Sequence, residues 1–301
     1  MEKHQIRLNE VQMQELEPVR SLLIKRYHPE NIICFGAITE ITLGSGCFMN
    51  DHQTCSHHFF ILVITKSASR IEHQLQEYVN QTFKTGVITV ISHRKKTFDS
   101  AIRNKDRFFV TIYHRGHWLY NSADLSSRNN LPETNAINDY PFVALSHELH
   151  YEIALGFLEA AEALENEDRH YNRLFFLNQA FEQLCITLIY VHTSYRSTTH
   201  NLNRLLSLCC CIHPELSSYF PNNTSEEIRL FKILNTSYFK GRYGNGFEFT
   251  PYDVITLSER VHEFFRVVGD SCERKFKELK QQPGEVINPT FKSKNQESIT
   301  H

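Results

Sequence analysis

The feature that most constrains the fold of this chain is an uninterrupted apolar run, Phe-Phe-Ile-Leu-Val-Ile, at residues 59–64. A strand with one face in water alternates polar and apolar residues, whereas a continuous run is typical of a strand buried on both faces. A second run of this type, Asn-Ile-Ile-Cys-Phe-Gly-Ala-Ile, occupies residues 31–38. The two runs therefore predict core strands of a covered sheet.

Other segments of the N-terminal part also show periodicity. Residues 40–48 alternate in polarity and predict a further, half-exposed strand, and the β-branched residues of 86–92 predict another. Between these segments, apolar residues recur at helical spacing at Ile71, Leu75 and Val79.

Residues 107–122 are predicted to form a strand, a turn near Gly116 and a second short strand. These elements predict an N-terminal domain at residues 1–125, a mixed sheet with flanking helices. Asn, Ser, Asp and Pro then dominate, which is typical of a linker, and we place this linker at residues 126–140.

Helical periodicity dominates the rest of the chain. Four apolar stripes are Ile153, Phe157, Ala160, Ala161 and Leu164; Leu177, Phe181, Leu184, Leu188 and Val191; Leu202, Leu205, Leu206 and Cys209; and Val254, Leu257, Val261, Phe264 and Val268. A further helix is predicted after Thr224 and Glu227, which have capping-box spacing. We therefore predict an α+β chain with an antiparallel five-helix bundle at 141–280 and a disordered tail at 281–301.

The composition is that of a globular protein, with 41% hydrophobic and 22% charged residues. A net charge of -2 indicates no polybasic surface, so any contact with RNA or nucleotide has to be local. The first residues lack the apolar segment of a signal peptide, and no apolar stretch approaches the ~18 residues of a membrane helix. Eight irregularly spaced cysteines favour the reducing cytoplasm over a disulfide scaffold.

Residues 32–65 resemble the two core strands of nucleotidyltransferases of the DNA polymerase β type. Phe35 and Gly36 match the family's glycine step, although Ala37 follows where the family usually has Ser; an alternative alignment uses Gly44 and Ser45. On its second core strand that family carries two metal-binding acids, which are entered through a Ser-Asp step.

The matching positions of this chain hold no carboxylate, and they read Ser56, His57, His58, Phe59 and Phe60. The next strand, which supplies a third acid in the family, also has none at 86–92. Because Mg²⁺ prefers oxygen ligands, the resemblance implies an inactive domain with no catalytic residue, no metal and no cofactor. A residual transferase that recruits its metal through His57, His58 and Asp51 stays open as an alternative.

A cluster of zinc-ligand residue types overlaps this region and comprises Cys47, His52, Cys55, His57 and His58. The short spacings are compatible with Zn²⁺, but zinc modules usually show two tidy pairs of ligands. The alternative is a polar loop followed by a strand whose histidines alternate between faces. The sequence leaves zinc binding open, and we assign no metal site.

Residues 175–208 resemble the central hairpin of HEPN domains (higher eukaryote and prokaryote nucleotide-binding). The family's Gln-Ala-x-Glu-like step falls at 179–182, and its Thr-His-x-Leu loop end falls at 199–202. A Tyr-x-x-x-Arg-Tyr segment follows at 238–243, before the last helix. The resemblance covers about residues 140 to 280 and implies a fusion common in prokaryotes, a nucleotidyltransferase-like domain joined to a HEPN domain.

HEPN domains that cleave RNA carry an Arg followed, after four to six residues, by a His. No such spacing occurs at 140–301, where Arg196 and His200 are separated by three residues. The match that exists, Arg107 with His114, lies on a predicted strand, where residues seven positions apart face opposite sides. We therefore expect no RNase activity of the usual HEPN kind.

The candidate nucleotide- or RNA-binding residues are Lys240, Arg242, Tyr243, His200 and Asn201. Cationic side chains at these positions can receive a phosphate, and the tyrosine can stack on a base. The alternative is a structural role, in which Tyr243 fills the bundle with Tyr238 and Arg242 pairs with a carboxylate.

The sequence therefore predicts a non-catalytic nucleotide- or RNA-binding HEPN protein with an inactive nucleotidyltransferase-like domain. The resemblance implies a cytoplasmic protein, not bound to membranes, that forms a homodimer through the helical domain. Gln179 and Glu182 are expected to hydrogen-bond within the bundle. The alternatives are a protein-interaction scaffold without a nucleotide ligand and a residual metal-dependent transferase.

Overall fold

A computed structural model of the chain describes residues 5–47, 49–66, 71–123, 140–165, 169–243 and 248–281. The strands are β1 (Asn31–Gly46), β2 (Met49–Thr65), β3 (Gly86–Arg94) and β4 (His117–Asn121). The helices before residue 140 are α1 (Glu10–Tyr27), α2 (Glu72–Thr82), α3 (Lys95–Arg103) and α4 (Arg107–Arg115). The later helices are α5 (Tyr140–Glu162), α6 (His170–Thr193), α7 (Leu202–Ile212), α8 (Ser225–Tyr243) and α9 (Pro251–Gln281), with a 3₁₀ helix at Pro214–Tyr219. The predicted linker and tail lie almost wholly outside the described residues.

The four strands form one mixed sheet in the order β3-β2-β1-β4, so the predicted α+β class is confirmed. β1 pairs antiparallel with β2 and β4, whereas β2 and β3 run parallel because α2 connects them. The prediction of separate strands at 31–38 and 40–48 was wrong, since β1 runs through both segments. A register shift between Cys34 and Gly36 marks an irregularity that the strand absorbs without ending.

The apolar run of β2 is buried on both faces, as its sequence predicts. Phe59, Ile61 and Val63 pack against α1 and α2 on one face of the sheet. Phe60 and Leu62 belong to the opposite face, where α3, α4 and the helical domain cover the sheet. The covering layers explain why the run lacks polar residues.

Residues 107–115 form helix α4 and not the predicted strand, so that prediction was wrong. The Asp106 side chain accepts hydrogen bonds from the backbone N–H groups of Phe108 and Phe109 and thereby caps the first turn. Aromatic and β-branched residues favoured a strand assignment, but the cap and the burial of Ile112 one turn after Phe108 decide for a helix. Residues seven positions apart share one face of a helix, so the prediction that Arg107 and His114 face opposite sides was also wrong.

Helix α6 is the centre of the C-terminal bundle. Its predicted stripe is buried throughout, and its most apolar window, of mean hydropathy 1.4, is 72% buried. Among the described residues, it is the one helix that is long and apolar enough to cross a membrane, and its burial is that of a core helix. The Asn178 amide donates to the Leu234 carbonyl, and the Ser237 hydroxyl donates to the Leu174 carbonyl, so α8 runs antiparallel to α6.

Helix α5 buries a face that is shifted from the predicted stripe and overlaps it. Its buried residues are Val143, Ala154, Leu158 and Ala161, and Ala161 belongs to the predicted stripe. Ile153, which was predicted to be in the core, is 37% exposed, and Leu164 lies beyond the helix end. The prediction was only partly right because α5 is apolar on two sides, and helical periodicity alone does not tell which side packs.

The two domains share a continuous apolar core, and polar contacts fix how they meet. Arg107 of α4 donates to the carbonyls of Val191 and His192, at the C-terminal end of α6. Arg204 of α7 pairs with Glu72 of α2 at 2.9 Å and also donates to the backbone carbonyl of Val90. The helical domain is therefore docked on the sheet by charged groups as well as by apolar packing.

Candidate functional site

The strand positions that the resemblance assigns to metal-binding acids include Phe60, which lies in the core between the domains. Phe60 is 0% exposed, and its ring is stacked on that of His58, with ring centroids 4.2 Å apart. A Cβ atom at Gly36, opposite Phe60 on β1, would lie 2.7 Å from Cys211 Sγ of α7. Only glycine allows this approach, and it closes the sheet surface at this point.

The two histidines of β2 are engaged with neighbouring side chains. His58 Nε2 lies 2.8 Å from the Thr89 hydroxyl, and burial lowers the pKa of His58 to about 4, so the ring is neutral at pH 7. His57 is buried on the opposite face, where its Nδ1 lies 2.9 Å from a Glu15 carboxylate oxygen. The two rings therefore point to different sides of the sheet and do not form one ligand set.

The described residues around β2 do not fit a magnesium or zinc site. Cys55 is exposed, whereas the side chains of His52 and Asp51 lie outside the described residues. Within residues 5–47, 49–66, 71–123, 140–165, 169–243 and 248–281, no group of three or more His, Cys, Asp or Glu side chains is arranged to hold a metal ion. Because hydrocarbon and neutral imidazole occupy the strand positions, we derive no chemical step through a metal there.

A second polar constellation lies in the helical domain, where the loop after α6 enters α7. His200 Nδ1 lies 2.8 Å from Glu182 Oε1, and the side chains are 81% and 6% exposed, respectively. The imidazole therefore stands at the surface while a buried carboxylate holds one of its nitrogens. Glu182 thus hydrogen-bonds within the domain, and its partner is a candidate binding residue.

Asn201 has a structural role at the start of α7. Its side-chain oxygen accepts a hydrogen bond from the Arg204 backbone N–H at 3.1 Å, which makes it the N-cap of the helix. Asn235 of α8 accepts from the Leu202 backbone N–H at 3.1 Å. This second contact ties the start of α7, and with it the His200 loop, to the side of α8.

The other candidate residues lie in the last turn of α8. Lys240, Arg242 and Tyr243 are within this helix, but their side chains lie outside the described residues. Position 242 follows Asn235 by seven residues, which places both on one helix face about 10 Å apart. The backbone therefore brings the two parts of the predicted site to one side of α8, and their convergence on one ligand stays a prediction.

Aromatic rings surround this end of α8. Phe239 is 65% exposed, next to Tyr238, whose ring is stacked on that of Phe175 of α6 with centroids 6.0 Å apart. Tyr171, at the start of α6, is 39% exposed and contacts the ring of Phe249. Exposed rings beside cationic positions form the kind of surface on which nucleic-acid bases stack.

Sequence reasoning missed two contacts of this site. Asn235 directly follows the buried Ile233 and Leu234 of α8, and a polar residue at such a position was the available signal. The contact between Glu182 and His200 joins residues 18 positions apart, and no local pattern predicts it.

Comparison with known proteins supports the assignment of the helical domain. Residues 147–274 match the model of the HEPN domain family, and the match includes α6, α7 and α8 entirely. The helical half of this chain is therefore a HEPN domain, as the motifs at 179–182, 199–202 and 238–243 predict.

Comparison of the whole chain adds little beyond this domain. None of the curated proteins matches it. Two chains among the solved structures match. One is the crystal structure of a nucleotidyltransferase-like protein from Exiguobacterium sibiricum 255-15, which is 12% identical, with coverage of 90% of this chain and 80% of that chain and a TM-score of 0.30.

Proposed function

We propose that the protein is a nucleotide- or RNA-binding HEPN protein whose N-terminal domain has a nucleotidyltransferase-like sheet but no transfer chemistry. The observation that carries the non-catalytic part is that Phe60 is fully buried in the apolar core and that its ring is stacked on His58. A divalent ion needs negatively charged oxygen ligands and access for a triphosphate, and neither of these two side chains provides them.

The binding part of the proposal rests on the HEPN domain. An exposed His200, the cationic position 242 and the exposed ring of Phe239 occur along one side of α8, and the cationic position 240 lies in the same last turn. Such a combination is suited to phosphate groups and to stacked bases. We place the ligand there, and we place the protein in the cytoplasm, in keeping with its eight free cysteines.

Calorimetric titration with ATP, GTP and short single-stranded RNA tests this proposal. We expect binding by the wild-type chain and a loss of about tenfold for Arg242→Ala, because a charge-assisted hydrogen bond to phosphate is lost. Arg103→Ala, on the exposed surface of α3, is the matched control and should bind as the wild type does. Absence of binding by the wild type at high micromolar concentration would refute the proposal.

We also propose that a second copy of the chain docks on α5. Leu145, Leu149 and Ile153 form an apolar stripe on this helix, with exposures of 68%, 59% and 37%. The equal spacing is symmetrical about Leu149, so two antiparallel copies of α5 would place Leu145 of each copy opposite Ile153 of the other. Leucine and isoleucine side chains would then be buried in an isologous contact.

A further inference from the structure

Glu182 is one of two buried carboxylates among the ion pairs described for the helical domain, with its side chain 6% exposed and that of Asp253 2% exposed. Asp253 pairs with Arg229, which is always charged, and this contact ties α8 to α9. Glu182 lies on the central helix, and of the described residues only His200 hydrogen-bonds to it. Burying a carboxylate is costly unless a partner compensates it, and an arginine would compensate Glu182 more fully than an exposed imidazole does.

The partner of Glu182 is instead one of the most exposed groups of the site. The His200 side chain is 81% exposed, and its single described contact is made through Nδ1. When Nδ1–H donates to the carboxylate, the ring is fixed in one orientation and one tautomer. The opposite nitrogen, Nε2, is then the ring atom left for a group from solution.

The position of the loop strengthens this reading. Asn201 caps α7 immediately after His200, and Asn235 holds the first N–H of α7 against α8. The backbone on the C-terminal side of His200 is therefore fixed at two points, while Glu182 fixes the ring itself.

We propose that Glu182 is a positioning residue that aims His200 Nε2 at a phosphate oxygen of the bound nucleotide or RNA. This inference rests on the proposed function, since it assigns a part of the same binding site. In the bound state the ring donates from both nitrogens, to the carboxylate on one side and to the phosphate on the other.

A double-mutant cycle in the full chain tests the inference, with short RNA and ATP as probes. His200→Gln should weaken binding about tenfold, and Glu182→Gln should weaken it by a comparable factor. Because Glu182 acts through His200, the double variant should bind about as well as His200→Gln alone. Additive losses would show that Glu182 acts independently and would overturn the inference.

Nitrogen NMR of the His200 ring, recorded with and without the probes, gives a readout that a merely structural role would not move, because we expect the Nε2 resonance to shift when RNA or ATP binds. We expect a protonated Nδ1 in the wild type and a loss of this preference in Glu182→Leu, with thermal unfolding of both proteins as the check on folding. If the wild type binds and Arg242→Ala weakens binding, but both Glu182→Gln and His200→Gln bind as the wild type does, the inference fails while the proposed function stands. If the wild type binds neither probe, both fail.

Discussion

At the scale of single residues, burial decides which titratable groups of this chain can carry charge. His58, His93 and His192 lie in or beside the core between the domains, and burial is the main cause that lowers their pKa values to about 4, about 4 and about 3. Each ring is neutral in the folded chain at pH 5, whereas the same ring is mostly protonated in the unfolded chain.

The pH dependence of stability follows from these three histidines. The pKa values of these histidines in the folded chain lie below the ordinary value of 6.5. Their contribution to the free energy of unfolding is therefore present above pH 6.5 and is lost as pH falls from about 6.5 to 4. We expect each to lower the free energy of unfolding by about 2 kcal/mol between pH 7 and pH 5. Urea unfolding at the two pH values measures this loss.

Two variants check the assignment of the loss to buried rings. His58→Gln should reduce the difference between pH 7 and pH 5, while His73→Gln should leave it unchanged, because the His73 side chain is 85% exposed. Equal stability of the wild type at both pH values would contradict the prediction.

Cysteine reactivity is a second residue-scale consequence of burial. Cys47 and Cys55 are exposed, whereas burial raises the pKa of Cys34 to about 11 and those of Cys210 and Cys211 to about 12. A thiol reagent at pH 7 should therefore modify two cysteines rapidly and the rest only after unfolding. The double variant Cys47→Ser/Cys55→Ser should lack the rapid phase. Rapid modification of further thiols in the folded chain would contradict the burial of the other cysteines.

At the scale of elements, local signals predicted those segments whose ends are capped or whose apolar faces are unambiguous. Thr250 and Asp253 form the reciprocal hydrogen bonds of a capping box, and α9 begins at Pro251, ahead of its predicted apolar stripe. The predicted α2 and α6 are confirmed through their apolar periods, without a side-chain cap, and β3 through its β-branched residues. Helix α4 was mistaken for a strand, since its aromatic composition outweighed the single cap at Asp106.

The site was less predictable than the elements. His200 and Asn201 were identified through the family motif, but the cap formed by Asn201 and the contact of His200 with Glu182 depend on how α6, α7 and α8 pack. Tertiary contacts between distant residues leave no periodic signal in one sequence. Closure of the β2 surface by Cys211 of α7 was unpredictable for the same reason.

The exposed stripe of α5 gives an element-scale prediction about assembly. Leu149→Glu should convert a dimer into a monomer. A carboxylate at the centre of a two-fold contact would be buried against the same carboxylate of the second copy. Sedimentation velocity measures the change in mass. Leu43→Glu on β1, a residue that is 73% exposed, is the matched control and should stay dimeric. A monomeric wild type would refute docking through α5.

At the scale of the whole molecule, the continuous core predicts that the domains unfold together. Trp118 of β4, the one tryptophan of the chain, reports on the N-terminal domain, whereas far-UV circular dichroism reports mainly on the helical domain. The two signals should show one coincident transition in urea. Two separate transitions in the wild type would show that the shared core does not couple the domains.

The Arg204 contacts should contribute to this coupling. Arg204→Ala removes the pairing with Glu72 and the hydrogen bond to Val90, and we expect a loss of about 2 kcal/mol, because both partners are partly buried. The two signals should then begin to separate in urea. Arg103→Ala is the control and should leave the midpoints of both signals unchanged. If Arg204→Ala unfolds in the same single transition as the wild type, apolar packing alone docks the domains.

The proposed absence of transfer chemistry is most directly tested by incubating the purified chain with labelled ATP and Mg²⁺ or Mn²⁺, with and without RNA. We expect no label on protein or RNA, because Phe60 and His58 fill the strand positions where a transferase would hold its metal. Metal-dependent transfer of label by the wild-type chain, lost when Asp51 is replaced by Asn, would contradict this conclusion.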